Sequence, residues 1–342
     1  MSLSDGSSAG GYSRADRLLH RIAMTGAVLD LSFDIERSRF GAAARAQAGG
    51  APVFVAGLAR AGTTIILRVL HETGAFASLT YRDMPFPLAP NSWHRMTARS
   101  RHDIASAARG HGDGLEHDLD SPEAIEEAFW RIRPGVPVAE TIAEFRDLVA
   151  LVRLRYAKPR YLSKNNANTL RLPAIVEAFP DAVLLHPFRD PAEQAASLLG
   201  QHVRAIELGR ADPFRARYMR WLGHHDFGLD HRPPDLPGAP SAGEPSDGVD
   251  YWLRIWIAVH RHLLDQPGDV RARQLFVDYD ALCADPAAGL APIAAAVGVP
   301  LAGGTLRVTP RRDTLGADPA LLDDARAVHA ALISRRTSPA RP

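Results

Sequence analysis

The chain has 342 residues, enough for one large domain or two ordinary ones with a sizeable core. Its 40 basic and 39 acidic residues are well mixed and leave a formal charge of +1, which excludes the basic stripe of a nucleic-acid binder. Apolar content of 46% and charged content of 23% are those of a folded soluble protein. No run reaches the roughly eighteen apolar residues of a membrane span.

The single cysteine, Cys283, excludes an intrachain disulfide and fits a reducing compartment; its simplest role is a small buried apolar side chain. Met1 to Tyr12 is rich in Ser and Gly, reads as disordered, and lacks a basic-then-apolar leader pattern. The expected location is the cytoplasm.

From Arg14 to about Phe40, Leu18, Leu19, Ile22, Ala23, Leu29, Leu31, Phe33 and Ile35 recur at helical spacing. They predict a pair of helices, or one bent one, packed over the core. Ala42 to Ala51 reads as a small-residue linker. Pro52-Val-Phe-Val-Ala56 then reads as a buried strand, Gly57 to Gly62 as a tight turn, and Thr63 to about 73 as a helix with Gly74 beyond its end. Three prolines between Pro85 and Pro90 exclude a regular element from Tyr81 to Trp93. Arg95 to Asp120 is polar. Ser121-Pro-Glu123 is a helix start that carries Ile125, Phe129 and Trp130 to the core, and a second helix is predicted from 141 to 156.

Arg160 to Lys164 reads as a short strand ending in the polar Lys164-Asn-Asn166, 170–179 as a helix, and Ala182 to Phe188 as a buried strand. Arg189-Asp-Pro191 opens a further helix that bears Ser197. The region 223–248 carries five prolines and reads as a long mobile loop. The helix 251–264, a fourth strand at 273–279 and the helix opened by Asp285-Pro286 complete the pattern. Alternating strands and helices predict an α/β fold, a P-loop-like parallel central sheet flanked by helices.

A strand, a glycine loop and a helix N-terminus make an anion cradle of backbone N–H groups at the positive end of the helix dipole. The spacing Gly57-x4-Gly62 is that of a phosphate loop, but Thr63 stands where a nucleotide hydrolase carries lysine. Arg60 is the cation inside the loop. One arginine, backbone donors and two threonine hydroxyls suit a phosphate diester or mixed anhydride that needs no metal. A strand–helix turn with convenient glycines would look the same. Arg189 and Ser197, eight residues apart, form a second candidate anion site, although Arg189 could equally pair with Asp190 while Ser197 faces solvent.

In this combination the chain resembles sulfotransferases that use 3′-phosphoadenosine 5′-phosphosulfate. The resemblance rests on Gly57-Leu-Ala-Arg60-Ala-Gly62-Thr63-Thr64, on Phe179-Pro-Asp-Ala182 leading to Arg189-Asp-Pro191 and Ser197, and on Val277-Asp-Tyr-Asp-Ala-Leu282 with Asp285-Pro286. It covers roughly residues 52–74, 158–202 and 273–300. It implies that Arg60, Ala61, Gly62, Thr63 and Thr64 bind the 5′-phosphosulfate and that Arg189 and Ser197 bind the 3′-phosphate. It further implies that Arg311, with Arg312, clamps the latter, unless that pair faces solvent. Arginine at position 60 resembles the branch that includes the tyrosylprotein enzymes and several bacterial ones. Because it does not lose a proton, Arg60 would act by charge and hydrogen bonding.

Transfer to an alcohol also needs a base near the attacking hydroxyl. By resemblance to the arginine branch it falls near Tyr81-Arg82-Asp83, making Asp83 the first candidate, with an ion pair to a neighbouring arginine as its other role. Glu116 and His111 come next, then His224-His225-Asp226. No carboxylate or cysteine stands at metal-ligand spacing from these histidines, so no metal is expected.

The division expected is an N-terminal start with helices at 1–50 and a sulfotransferase domain at 51–300. Within that domain 76–157 forms an acceptor-side excursion, and a basic loop and helix follow at 301–342. The polar stretch 91–120 favours a small hydrophilic alcohol or glycan acceptor over a flat phenol. Oligomeric state is not readable. A nucleotide-dependent phosphotransferase is the other enzymatic reading and would need a loop lysine and magnesium; a non-catalytic nucleotide- or glycan-binding module on the same scaffold is a third.

Overall fold

The structure, a computed structural model, describes residues 14–98, 124–135, 137–223, 225–302 and 316–336. The Ser/Gly-rich start, most of the polar stretch before Asp120, the Ser121 helix signal and Arg311-Arg312 lie outside the described residues.

The N-terminal periodicity resolves into α1 (Arg14–Ala23) and α2 (Gly26–Ala46). α2 buries Leu29, Phe33, Glu36, Phe40 and Ala44, a stripe on one helical face. Several apolar residues expected over the core do not reach it. Leu31 and Ile35 lie two positions past Leu29 and Phe33, about 200° around the helix. They are exposed, Leu31 at 60%, as are Leu18, Leu19 and Ile22. α2 also runs through Ala42 to Ala46, where a linker was expected. Alanine gives up no side-chain entropy in a helix, so the small-residue run extends it.

β1 (Val53–Val55) and α3 (Thr63–Glu72) follow as predicted, and Gly74 beyond α3 is left-handed. β2 (Phe76–Ala77) is only two residues long, too short for any alternation to be read. Between Tyr81 and Trp93 the structure corrects the expectation of irregular chain. Tyr81–Asp83 is a 3-10 turn closed by a capping box between Thr80 and Asp83, and Pro90–Thr97 is helix α4. Pro90 occupies its first turn, where a missing N–H costs nothing. The cap arrives from a distant helix: the buried carboxylate of Glu36 accepts from Asn91 N at 2.6 Å and Ser92 N at 3.1 Å.

The remaining elements are α5 (Glu127–Arg131), α6 (Ala139–Tyr156), β3 (Arg160–Lys164), α7 (Leu172–Ala178), β4 (Val183–Phe188), α8 (Pro191–Ala211) and α9 (Pro213–Trp221). Then come α10 (Val249–Leu264), α11 (Gly268–Arg271), β5 (Gln274–Asp278), α12 (Tyr279–Ala284), α13 (Pro286–Val297) and α14 (Pro319–Arg335). Ile125, Phe129 and Trp130 are buried as expected.

The five strands are all parallel, in the order β2-β3-β1-β4-β5. Phe54 packs on one face with Phe145 and Tyr161, while Val53 and Val55 pack on the other with Ile66, Leu67 and Leu70. The chain runs from β1 out to β2, returns to β3, and then crosses β1 to reach β4 and β5. The direction of winding therefore reverses beside β1, and the crevice of such a sheet opens at the carboxyl ends there.

The segment 225–248 has no long regular element, as expected, but it is tied at many points. Arg220 Nη2 donates to Asp230 at 2.8 Å and Arg254 Nη1 to Glu244 at 2.7 Å. Trp252 Nε1 donates to Ser246 O at 3.0 Å, and His231 bonds the Tyr251 hydroxyl at 2.9 Å.

Candidate active site

The end of β1 is laced on both sides before the chain leaves the sheet. Asn165 N donates to Val55 O at 3.1 Å and Ala56 N to Leu185 O at 2.9 Å. The His186 ring donates from Nδ1 to Ala56 O, and burial pushes its pKa down to about 4, so it stays neutral. Gly57 is required by close approach: a Cβ there would stand 3.0 Å from the Pro187 carbonyl oxygen. Gly62 is left-handed, with φ 79°, and a Cβ on it would meet the Tyr279 ring at 2.1 Å. Tyr279 thus forms one wall of the loop.

Arg60 takes φ 68° without being glycine. Such a backbone costs on the order of 1 kcal/mol and is retained where the surroundings fix it. α3 begins at Thr63 with Gly62 as its N-cap, so no side chain caps it, and no acidic residue occupies its first turn. The positive end of the α3 dipole therefore points into the crevice beside Arg60.

Arg60 Nε donates to Ser197 Oγ at 3.1 Å, joining residues 137 positions apart. Ser197 is buried, not solvent-facing. Arg189, 5% exposed at the carboxyl end of β4, pairs with Glu193 at 2.9 Å and Asp280 at 3.2 Å rather than with Asp190. Asp190 instead caps α8, accepting from Glu193 N at 3.0 Å, while its own N–H donates to Asp280 at 2.8 Å. Ala61 and Thr63 are buried beneath the loop, and Thr64 is half-buried.

Asp83 follows β2, an edge strand of the sheet. It is 1% exposed. Its Oδ2 accepts from Thr80 N at 2.9 Å and from the Tyr156 hydroxyl at 2.6 Å, and Arg155 stands 3.8 Å from Oδ1. Burial and the Asp83 charge together push the Tyr156 hydroxyl far above its ordinary pKa. Glu116, His111, His224 and Arg311 lie outside the described residues.

Lys164-Asn-Asn166 and Asp226 stand out in the sequence as polar positions, but the contacts that gather them, and the parts played by Glu127 and Gln194, carry no sequence signal. Lys164 ends β3, is buried, and pairs in register with Val55 at the root of the loop; only the strand order reveals that neighbourhood. Asn166, two residues on, donates from Nδ2 to Asp226 at 2.8 Å, which brings the half-buried Asp226 to the carboxyl end of β3. Beneath them Glu127 accepts from Asn165 Nδ2 at 2.7 Å and from both Arg171 terminal nitrogens at 2.6 and 2.7 Å. Gln194, on α8, donates to Ala59 O at 2.8 Å and accepts from Trp256 Nε1 at 2.9 Å. Among the described residues no group of three or more His, Cys, Asp or Glu side chains could hold a metal ion. None of the described helices is long and apolar enough to cross a membrane.

A parallel sheet with a glycine loop and a helix N-terminus at its winding reversal defines the class as an α/β protein with helices on both faces of the sheet. Residues 52–232, more than half of the chain, match the sulfotransferase family. The chain belongs to that family and is a sulfotransferase enzyme. The solved sulfotransferase STF9 from Mycobacterium avium is similar in fold at 16% identity and TM-score 0.50, covering 93% of this chain and 84% of that one. STF1 from Mycobacterium tuberculosis H37Rv aligns at 16% identity and TM-score 0.47, covering 94% and 82%. No curated protein matches the chain by sequence.

Proposed function

We propose that this enzyme transfers the sulfuryl group of 3′-phosphoadenosine 5′-phosphosulfate to the hydroxyl of a hydrophilic acceptor such as a carbohydrate. The observation that carries the reading is the Arg60–Ser197 contact at 3.1 Å, beside the N-terminus of α3. In this proposal the loop from Arg60 to Thr64 holds the 5′ end of the donor, and Arg189 with Ser197 holds the 3′-phosphate. Arg60 and Ser197 then part on binding, each exchanging the other for an anion. Arg311, from the C-terminal part of the chain, adds to the 3′ clamp. The domain at 51–300 and the acceptor-side excursion at 76–157 belong to the same reading. So does a cytoplasmic location, which the single cysteine supports.

The donor supplies the sulfuryl group, and the chain's residues do the rest. Arg60 and the first amides of α3 sit where negative charge collects on the bridging oxygen as the sulfur–oxygen bond breaks. Lys164, at the adjacent strand end, adds a second cation to that side. A carboxylate takes the proton as the acceptor oxygen bonds to sulfur, leaving adenosine 3′,5′-bisphosphate. Asp83 is the carboxylate designated by resemblance, but its burial and its bonds to Thr80 and Tyr156 occupy it. Asp226 is favoured by access: it is half-buried and held by Asn166 at the end of β3.

Equilibrium binding tests the donor. Adenosine 3′,5′-bisphosphate is expected to bind without magnesium at least ~10-fold more tightly than ATP with magnesium, since the loop has arginine in place of the lysine that grips β- and γ-phosphates. The reverse order would point to the phosphotransferase reading.

A further inference from the structure

We propose that Gln194 is a positioning residue for Arg60, acting through the loop backbone; the idea rests on the donor reading above and concerns the same site. Gln194 is fully buried, with 0% exposure, in the second turn of α8. Its Nε2 donates to Ala59 O at 2.8 Å and approaches Leu58 O at 3.4 Å, the two carbonyls that immediately precede Arg60. Its Oε1 accepts from Trp256 Nε1 at 2.9 Å, and Trp256 is itself fully buried on α10.

The orientation of this amide is dictated by its partners. An indole nitrogen only donates and a carbonyl only accepts, so the oxygen must face Trp256 and the nitrogen must face the loop. Ser197 lies three residues further along α8, on the same face, and receives the Arg60 guanidinium. One helix therefore grips Arg60 twice, at the peptide before its Cα and at the end of its side chain. A left-handed non-glycine residue persists only where its surroundings over-determine it, and the Gln194–Trp256 pair supplies that constraint from below. Without the amide, the Leu58–Ala59–Arg60 backbone loses this constraint on φ 68°, and the aim of the guanidinium at the donor loosens.

Gln194→Met and Gln194→Glu in the full chain test this. Methionine keeps the volume and removes both hydrogen bonds. Backbone hydrogen exchange across residues 57–64 is expected to speed up by about 10-fold. Exchange in the segments around β5 is expected to stay unchanged, and adenosine 3′,5′-bisphosphate to bind about 10-fold more weakly at every pH. Glutamate introduces a switch. Burial raises its carboxyl pKa, and the protonated form can donate from O–H to Ala59 O while its carbonyl accepts from Trp256. Gln194→Glu should therefore match the unaltered protein at pH 6 and Gln194→Met at pH 8, a pH profile that a merely structural glutamine would not create. Exchange at 57–64 as slow in Gln194→Met as in the unaltered protein overturns the proposal. Should that variant not fold, Trp256→Phe leaves Gln194 in place without its orienting donor and is expected to loosen the same segment about 3-fold; unchanged exchange there overturns the proposal too. An unaltered protein that fails to bind adenosine 3′,5′-bisphosphate sinks the donor reading alone, because the exchange data still decide what Gln194 does.

Discussion

The two sides of the crevice are built in opposite ways. On the side we propose for the donor, one short stretch, Gly57 to Thr64, supplies the cation, the helix N-terminus and the left-handed turns, and two buried residues of α8 bond to it. On the side we propose for the acceptor, the candidate groups come from three remote segments. Asp83 follows β2, Asn166 follows β3, and Asp226 follows α9. The carboxylate that sequence resemblance designates, Asp83, is bonded by Thr80 in its own turn and by Tyr156, whereas Asp226 meets the end of β3 only through a contact 60 residues long. Anion binding can be encoded locally because backbone amides do most of it. Proton transfer to a chosen acceptor depends on side-chain placement, which the tertiary fold must arrange.

If that contrast is right, the largest loss should come from the donor side. Arg60→Ala is expected to lower kcat by about 10²–10³-fold, the scale of removing one preorganised donor from a developing oxyanion. Binding of adenosine 3′,5′-bisphosphate should weaken much less, because the α3 amides, Arg189 and Ser197 remain. Turnover against a panel of hydroxyl acceptors, or sulfate release from the donor without one, measures the first; calorimetry measures the second. Equal losses in both would mean that Arg60 only anchors the ligand.

The acceptor side is sharpened by a pair of substitutions. Asp226→Asn keeps the shape and should lower kcat by about 10²-fold with donor affinity and thermal stability intact. Asp83→Ala should instead destabilise the fold by about 1–3 kcal/mol, because Thr80 N and the Tyr156 hydroxyl lose a buried acceptor. Thermal unfolding and turnover separate the two. If Asp83→Asn abolishes turnover in a stable protein while Asp226→Asn does not, the base is Asp83 and the crevice must open around it.

What the sequence made legible follows the same division. β1, its glycine loop and α3, and likewise β4, Arg189 and α8, are contiguous units whose apolar runs, turn residues and caps adjoin one another in sequence. The bounds of β1, α3 and β4 and the start of α8 are accordingly legible in the sequence, while the far end of α8 is not. The order of strands, the two-residue β2, and α4 with its cap from Glu36 depend on pairings with no local trace. So do the contacts of Gln194 with Trp256 and of Asn166 with Asp226. Arg189 shows how nearness in sequence misleads about partners: Asp190 is adjacent, but helix geometry turns that side chain back to cap α8 and leaves Glu193 and Asp280 for the arginine. The apolar residues of α1 and α2 err in the other direction. Helical spacing was correctly read, but it fits two faces, and only the one bearing Leu29 and Phe33 meets the core.

The smallest expected effect concerns pH and the segment that carries Asp226. His202, buried on α8, accepts from Gly228 N at Nδ1 (3.2 Å) and bonds Ser246 Oγ through Nε2 (2.9 Å). Burial, then the neighbouring His231 ring 5.0 Å away, lowers its pKa to about 4, and burial lowers that of His231 as well. With Gly228 N–H on Nδ1, the ring must be neutral, and a second proton there would face a donor. A histidine whose folded pKa lies below its ordinary value of about 6.5 adds stability that is complete above that value. That stability drains away as pH falls toward 4. The tie holding 225–248 to α8 should therefore weaken progressively below about pH 6.5, seen as a change in the fluorescence of Trp252, whose ring lies 5.1 Å from His202. His202→Gln supplies a donor and an acceptor but does not titrate, so it should flatten that signal. His186 and His260, which are buried and lowered in the same sense, would still lower global stability in acid. A fluorescence change that survives His202→Gln would place the acid-sensitive joint elsewhere, and Asp226 would then keep its post beside Asn166 at low pH.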